Sequence, residues 1–272
     1  MSQLRSDPSG ESLSSAARFL FDAHERRQRF APLPRELAPR TIAEAHEIQD
    51  AFVALRAEKL GAIAGYKLAL TSPQMRKFVG VDEPQAGIML ESTLHRSPAR
   101  VRAADYVRLI VEFEIAVRIG EDLPAADKPF SRERVAQAVD AVMPALELAD
   151  DRDADYKALP QHPLELIADN CWNEGAVLGA PVTDWRGIDL CAARGVATIN
   201  GNNVGEGRGA DAMGHPLDAV AWLADHLASI GRGLLRGHVV ITGSIVTTKT
   251  VAAGDGVLFE VEGLGNVQLQ VD

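Results

Sequence analysis

Apolar positions recur at helical spacing in the first sixty residues and at strand spacing afterwards. In residues 12–30, Leu13, Ala17, Leu20, Phe21 and His24 fall on one helical face. Residues 31–40 carry three prolines and predict an extended connection. Residues 41–61 open with a capping box, Thr41 followed three residues later by Glu44, and stop at Gly61. Between these ends Ile42, Ala45, Ile48, Phe52 and Leu55 hold the helical period. The first ten residues are polar and are expected to lack regular structure.

After Gly61 the period shortens to two. "AIAGYKLALTS" predicts a strand and "YVRLIVEFEIAVRIG" a long one. "SRERVAQAVDAVMPALELAD" predicts a helix stopped by Pro144, then a short strand carrying Glu147. Asn200-Gly201 between apolar arms predicts a hairpin, and residues 215–231 a helix with Pro216 in its first turn and Gly231 at its end. The remaining tail predicts short strands separated by glycine turns. Helices first and strands later give an α+β class rather than alternating β/α units. The expected organisation is an N-terminal helical region leading into the first strand (residues 1–90) and a β-rich catalytic core (residues 91–272).

Composition narrows the function classes. The 272 residues are 46% hydrophobic, enough for a sizeable core, and the net charge of −10 disfavours nucleic-acid and anionic-membrane partners. Two cysteines without CxxC spacing argue against a disulfide framework or zinc site. Without a signal-peptide h-region or a membrane-length apolar run, a cytoplasmic protein is expected. "GNNVGEGRG" lacks the Lys-Ser/Thr of a phosphate loop, and the hairpin accounts for it. His215 reads as a helix-start residue, Trp222 as core, and Cys171 as a thiol without a dedicated base.

The candidate chemistry sits in "IVEFEIAVRIG". Side chains alternate along a strand, so Val111, Phe113, Ile115, Val117 and Ile119 share a core face. Glu112 and Glu114 share the opposite face with Ala116 and Arg118, about 7 Å apart. Two readings stand: a polar face that meets water, with Arg118 easing the repulsion, or a pair of carboxylates converging on a divalent cation. Oxygen-only ligands select Mg2+, Mn2+ or Ca2+ over zinc. Glu147 is the candidate third acid, because Leu146 and Leu148 would point to the core and leave it on the open face.

The stretches "TIAEAHEIQ", "GYKLALTS", "EFEIAV", "PALEL", "IADN", "GHPLDAVAWLA" and "VITGS" run in order from about Thr41 to the C-terminus. Together they resemble the 2-keto-4-pentenoate hydratase and 4-oxalocrotonate decarboxylase group of the fumarylacetoacetate hydrolase superfamily. The resemblance implies a mixed β-rich core with flanking helices, usually in homo-oligomers. It also implies Mg2+ or Mn2+ held by Glu112, Glu114 and Glu147 and chelating a small 2-oxo acid. Lys67 would be the catalytic residue, since a lysine beside a metal and in a partly closed pocket can have a lowered pKa and then shuttle protons. Gly243 and Ser244 would meet the substrate carboxylate, with Asn170, Trp172 and Gln85 also near the substrate.

Two positions depart from the hydratase pattern. Gln85 stands where an acid is common, and Trp172 and Asn173 where small hydroxyl residues are. The implied activity is hydration of a 2-hydroxypenta-2,4-dienoate-type acid in aromatic-compound catabolism, with decarboxylation of an oxalocrotonate-type diacid as the alternative. Carbon–carbon hydrolysis would want a His–Glu base that the sequence does not place. The two departures also leave open a member that binds small acids without catalysis.

Overall fold

A computed structural model of the chain describes residues 10–272, so the expectation for the segment before Gly10 lies outside the described residues. Its helices are α1 (Gly10–Glu25), α2 (Ile42–Leu60), α3 (Pro73–Val79), α4 (Arg132–Ala138), α5 (Pro163–Ala168) and α6 (Pro216–Ser229). The first strands are β1 (Ile63–Ala69), β2 (Gln85–Leu90), β3 (Leu94–Arg96), β4 (Ala99–Val101), β5 (Leu109–Ile119) and β6 (Val139–Asp150). The later strands are β7 (Asn173–Leu178), β8 (Arg194–Ile199), β9 (Asn202–Arg208), β10 (Val239–Thr250), β11 (Gly256–Val261) and β12 (Gly265–Val271).

Seven strands form one sheet in the order β2-β1-β10-β5-β6-β7-β3, and five form a second in the order β4-β12-β11-β8-β9. Most pairs are antiparallel, with β1–β10, β3–β7 and β4–β12 parallel. The inward residues of β5 do reach a core: Phe113 meets Phe259 of the second sheet edge-on at 5.5 Å. No described helix is long and apolar enough to cross a membrane.

Local signals hold where caps and turns fix the backbone. Thr41 caps α2 by accepting from the Glu44 N–H, and His215 caps α6 through Nδ1 at 3.0 Å from the Leu217 N–H. Asn200 and Gly201, both with positive φ, join β8 to β9 as the hairpin pattern expects.

Three expectations need correction. Pro144 does not stop a helix: α4 ends at Ala138 and Pro144 lies inside the twelve-residue β6. Its carbonyl accepts from Gly179, just past the end of β7, so its missing N–H faces a gap in the ladder rather than β5. The tail also holds a long strand, since β10 runs for twelve residues and pairs with both β1 and β5. Finally, the glutamate face of β5 is open only at Glu112, which is half-buried. Ala116, Ala141, Ala145 and Ile241 share the rest of that face in a second apolar cluster, and Glu114 and Glu147 are fully buried. Small neutral residues build that second core, and a period-two pattern cannot tell it from a wetted face.

Candidate metal centre and active-site cavity

Strand register brings the three acids together. Glu112 of β5 stands directly opposite Glu147 of β6, and Glu114 is one pair further along the same face. One carboxylate oxygen of each lies within 4.8 Å of the others. Lys67 arrives from β1 on the far side of β10, and its Nζ is 3.0 Å from Glu147 Oε1. The stem of Lys67 has room because its partner across β2 is Gly87, where a Cβ would come within 2.7 Å of Lys67 Cγ. Asn173 Nδ2 donates to Glu147 Oε1, and Thr248 Oγ1 to Glu112 Oε1 at 3.2 Å.

This donor set fits a hard divalent cation. Three carboxylates against one ammonium leave a formal charge of two minus in a largely buried space. Glu114 Oε1 and Glu147 Oε2 are buried without a hydrogen-bond partner, although buried polar atoms are normally satisfied. Burial and then the neighbouring carboxylates Glu147 and Glu112 push Glu114 well above the usual carboxylate range. Burial lifts Glu147 to about 7 even with Lys67 beside it. All-oxygen ligands of this kind suit Mg2+, Mn2+ or Ca2+.

Burial alone would lower the pKa of Lys67, but the carboxylates of Glu147 and Glu112 outweigh burial and raise it above the ordinary lysine value.

A cavity of about 1140 Å³ opens over Lys67 and Glu112, with Cys171, Trp172, Ser244 and Thr248 in its wall and α3 at its rim. Of the residues expected near substrate, Trp172 and Ser244 therefore line it. The other three are engaged elsewhere. The Gly243 N–H donates to Glu114 Oε2 at 2.6 Å, so it orients a carboxylate of the cluster. A bulge in β10 turns it there with φ +106°, and a Cβ would come within 2.6 Å of Thr71. The Asn170 amide donates to the Ile88 carbonyl and accepts from the Ile88 N–H, pinning its loop to β2. Gln85 donates to the Glu83 carbonyl and is absent from the cavity wall. The Ser244 hydroxyl meets Phe113 and Val246 backbone groups at the bulge.

Sequence reasoning missed Thr248 and Asn173 as partners of the acids. Alternation from Ser244 along β10 could have pointed to Thr248; Asn173 stands out in the sequence only as a departure from the hydratase pattern, and nothing local points to its bond with Glu147. Burial pushes the Cys171 thiol up to about 12, which keeps it unreactive. His24 and Glu174 do form a His–carboxylate pair at 3.0 Å, but it lines a separate cleft with Arg56 and Arg152.

A family model described as the C-terminal region of fumarylacetoacetate hydrolase matches residues 63–272, which include every acid of the cluster and Lys67. The chain belongs to the fumarylacetoacetate hydrolase family. Among relatives, it is 34% identical over 257 residues to a 2-keto-4-pentenoate hydratase of Paraburkholderia phymatum, covering 94% of this chain and 96% of that one. It is 31% identical to a 2-hydroxyhexa-2,4-dienoate hydratase of Comamonas testosteroni, covering 92% and 94%. Among solved structures, a 4-oxalocrotonate decarboxylase from Pseudomonas putida G7, complexed with magnesium and adipate, superposes with a TM-score of 0.89 at 27% identity. That match covers 98% of this chain and 100% of the other.

Proposed function

We propose that the protein is a divalent-metal-dependent lyase that hydrates a short 2-hydroxydienoic acid of the 2-hydroxypenta-2,4-dienoate type, as in aromatic-compound catabolism. The observation that carries this reading is the buried Glu112–Glu114–Glu147 cluster with Lys67 at the base of an apolar-walled cavity. Mg2+ or Mn2+ would be held by the three glutamates. When bound, such a cation supplies Lewis-acid polarisation of the 2-oxo acid end.

The chain's own groups do the rest. Gly243 fixes Glu114 through its N–H, and Asn173 fixes Glu147. Thr248 steadies Glu112. Lys67 Nζ, 3.0 Å from Glu147 Oε1 and facing the cavity, is the group placed to move a proton to or from a substrate carbon. Trp172 and its apolar neighbours keep bulk water from the buried acids, which strengthens each charge interaction there. The alignment with hydratases over nearly the whole chain supports hydration. Decarboxylation of a diacid on the same platform is the second reading, supported by the decarboxylase fold match. A cytoplasmic homo-oligomer completes the proposal.

A steady-state assay on 2-hydroxypenta-2,4-dienoate and on 4-oxalocrotonate, with Mg2+ and then with EDTA, tests this. Turnover of the dienoate that EDTA removes and Mg2+ restores is the expected result. Intact Mg2+ binding without turnover of either acid overturns the lyase reading.

A further inference from the structure

β2 ends the seven-stranded sheet, with β1 on one side and no strand on the other among the described residues. Its outer backbone groups therefore lack ladder partners, and two side-chain amides take that place. Gln49, from α2, donates through Nε2 to the Ala86 carbonyl at 2.8 Å and to Asn170 Oδ1 at 3.0 Å. Asn170 Oδ1 accepts from the Ile88 N–H at 2.7 Å, and its Nδ2 donates to the Ile88 carbonyl at 2.9 Å. A carbonyl only accepts and an N–H only donates, which fixes the orientation of both amides. Gln49 Oε1 is left to accept from His46 Nδ1 at 2.8 Å. Gln49 is 3% exposed and Asn170 2%, so water does not compete for these bonds.

Between the two clamped residues lies Gly87, the register partner of Lys67. A Cβ at Gly87 would come within 2.7 Å of Lys67 Cγ and 3.0 Å of the Asn170 carbonyl oxygen. The lysine stem thus lies directly on the Gly87 backbone, with Asn170 closing on the same α-carbon. Nζ is tethered to Glu147, but the methylenes behind it are held by packing, and a lysine stem otherwise has much rotamer freedom to lose. Gln49 itself is absent from the cavity wall and precedes the residues 63–272 that the family model matches. Arg56 fastens α2 to the far end of the same segment through Glu174.

We infer that Gln49 is a positioning residue for Lys67: by clamping the free edge of β2, together with Asn170, it fixes the backbone floor on which the lysine stem rests. The inference rests on the metal-dependent lyase reading above and names a residue that serves it. Because Gln49 touches neither the acids nor the cavity, its loss falls on the chemical step and leaves substrate and cation binding in place.

Gln49→Met keeps the length of the side chain and removes its polar bonds. Kinetics are measured on whichever of 2-hydroxypenta-2,4-dienoate and 4-oxalocrotonate the wild-type protein turns over, with rates expressed per Mg2+-bound site from calorimetry. In the variant kcat should fall about 10–100-fold, as for a misplacement of about 1 Å, with KM and Mg2+ affinity within about twofold of wild type. Backbone hydrogen exchange gives a readout apart from activity: the Ile88 N–H should be protected in wild type, and residues 85–90 should exchange faster in the variant. Should Gln49→Met not fold, Gln49→Glu should show the same pattern, since it keeps an acceptor for His46 and sets an oxygen against the Ala86 carbonyl. An unchanged kcat per site, a loss carried by KM, or an Ile88 N–H that exchanges freely in wild type overturns the positioning role alone. Wild-type protein that binds Mg2+ and turns over neither acid sinks the lyase reading and this inference with it.

Discussion

Two buried charge clusters meet on either side of residues 169–174, and they are built on opposite rules. In the first, Glu112, Glu114 and Glu147 share one lysine, and two carboxylate oxygens have no partner. In the second, every carboxylate oxygen is taken. Asp169 Oδ1 meets His24 at 2.6 Å and Oδ2 meets Arg152. Glu174 Oε1 meets His24 and Arg56 at 3.0 Å each, and Oε2 meets Arg56 at 2.5 Å. The acids respond in opposite directions. Burial dominates at Glu114 and Glu147 and raises them. At Asp169 and Glu174 burial is outweighed, by Arg152 and His24 and by Arg56 and His24 respectively, and Glu174 falls to about 2. A buried acid with its cations supplied by the chain is structural; one left short of them is prepared for a ligand. The segment between the clusters carries the consequence, because Asn170, Cys171 and Trp172 all have positive φ. Such strain persists only where the surroundings over-determine it, and Asp169 and Asn170 supply the anchors.

Breaking the satisfied cluster should have the largest effect. Asp169→Asn leaves Arg152, 2% exposed, as an unpaired buried charge, and removal of one partner from such a pair costs about 3–5 kcal/mol. Urea unfolding should report that loss with or without Mg2+. Breaking the other cluster should do something different. Glu114→Gln removes a destabilising buried charge and keeps an oxygen for the Gly243 N–H, so metal-free stability should hold or rise. What it should lose is the gain from the cation, about 2.7 kcal/mol for wild-type protein at roughly 100 times the Kd for Mg2+. A metal-free loss as large as that of Asp169→Asn would erase the distinction between the clusters.

Titration sharpens the same contrast at the satisfied cluster. Burial lowers the pKa of His24, but Asp169 and Glu174 together raise it above 6.5. A raised histidine stabilises fully below the unfolded value of 6.5 and loses that contribution as pH climbs through the folded value. His24→Gln should therefore cost about 1.5–3 kcal/mol at pH 6 from lost charge-assisted hydrogen bonds, and less at pH 9. The lowered Glu174 works in reverse: its stabilisation is present above 4.5 and is lost as pH falls toward about 2. Thermal unfolding followed across pH 2–10 reads both limbs. An unchanged alkaline limb in His24→Gln would mean that the ring is neutral in the folded state.

How much of this was legible depends on sequence distance. The Glu-x-Glu alternation placed Glu112 and Glu114 on one face, alternation around Leu146 and Leu148 offered Glu147 as a third acid, and the family resemblance made the three a ligand set and added Lys67. Caps and the Asn-Gly turn were readable because each closes within a few residues. The satisfied cluster was invisible: His24 reaches Asp169 across 145 positions, and in sequence it looked like one more residue of the apolar face of α1. Asn170 and Gly243 were placed beside the site, yet their roles depend on Ile88 and on the bulge of β10, neither of which a local pattern encodes.

Arg118 isolates what burial contributes. It shares the strand β5 and the alternation face of Glu112 and Glu114, and by pattern alone it belongs to the same group. In the fold it lies toward the far end of the strand, 36% exposed, and pairs with Asp140 at 2.8 Å, itself 44% exposed. Solvent screens such a pair, and its two side chains lose rotamer freedom to make it, so exposed pairs contribute about 0–1 kcal/mol. Arg118→Ala should accordingly shift unfolding by less than about 1 kcal/mol and leave Mg2+ affinity unchanged in calorimetry. If Arg118→Ala instead strengthened or weakened Mg2+ binding severalfold, the charge of the whole β5 face, rather than the desolvated acids alone, would be setting the cation site.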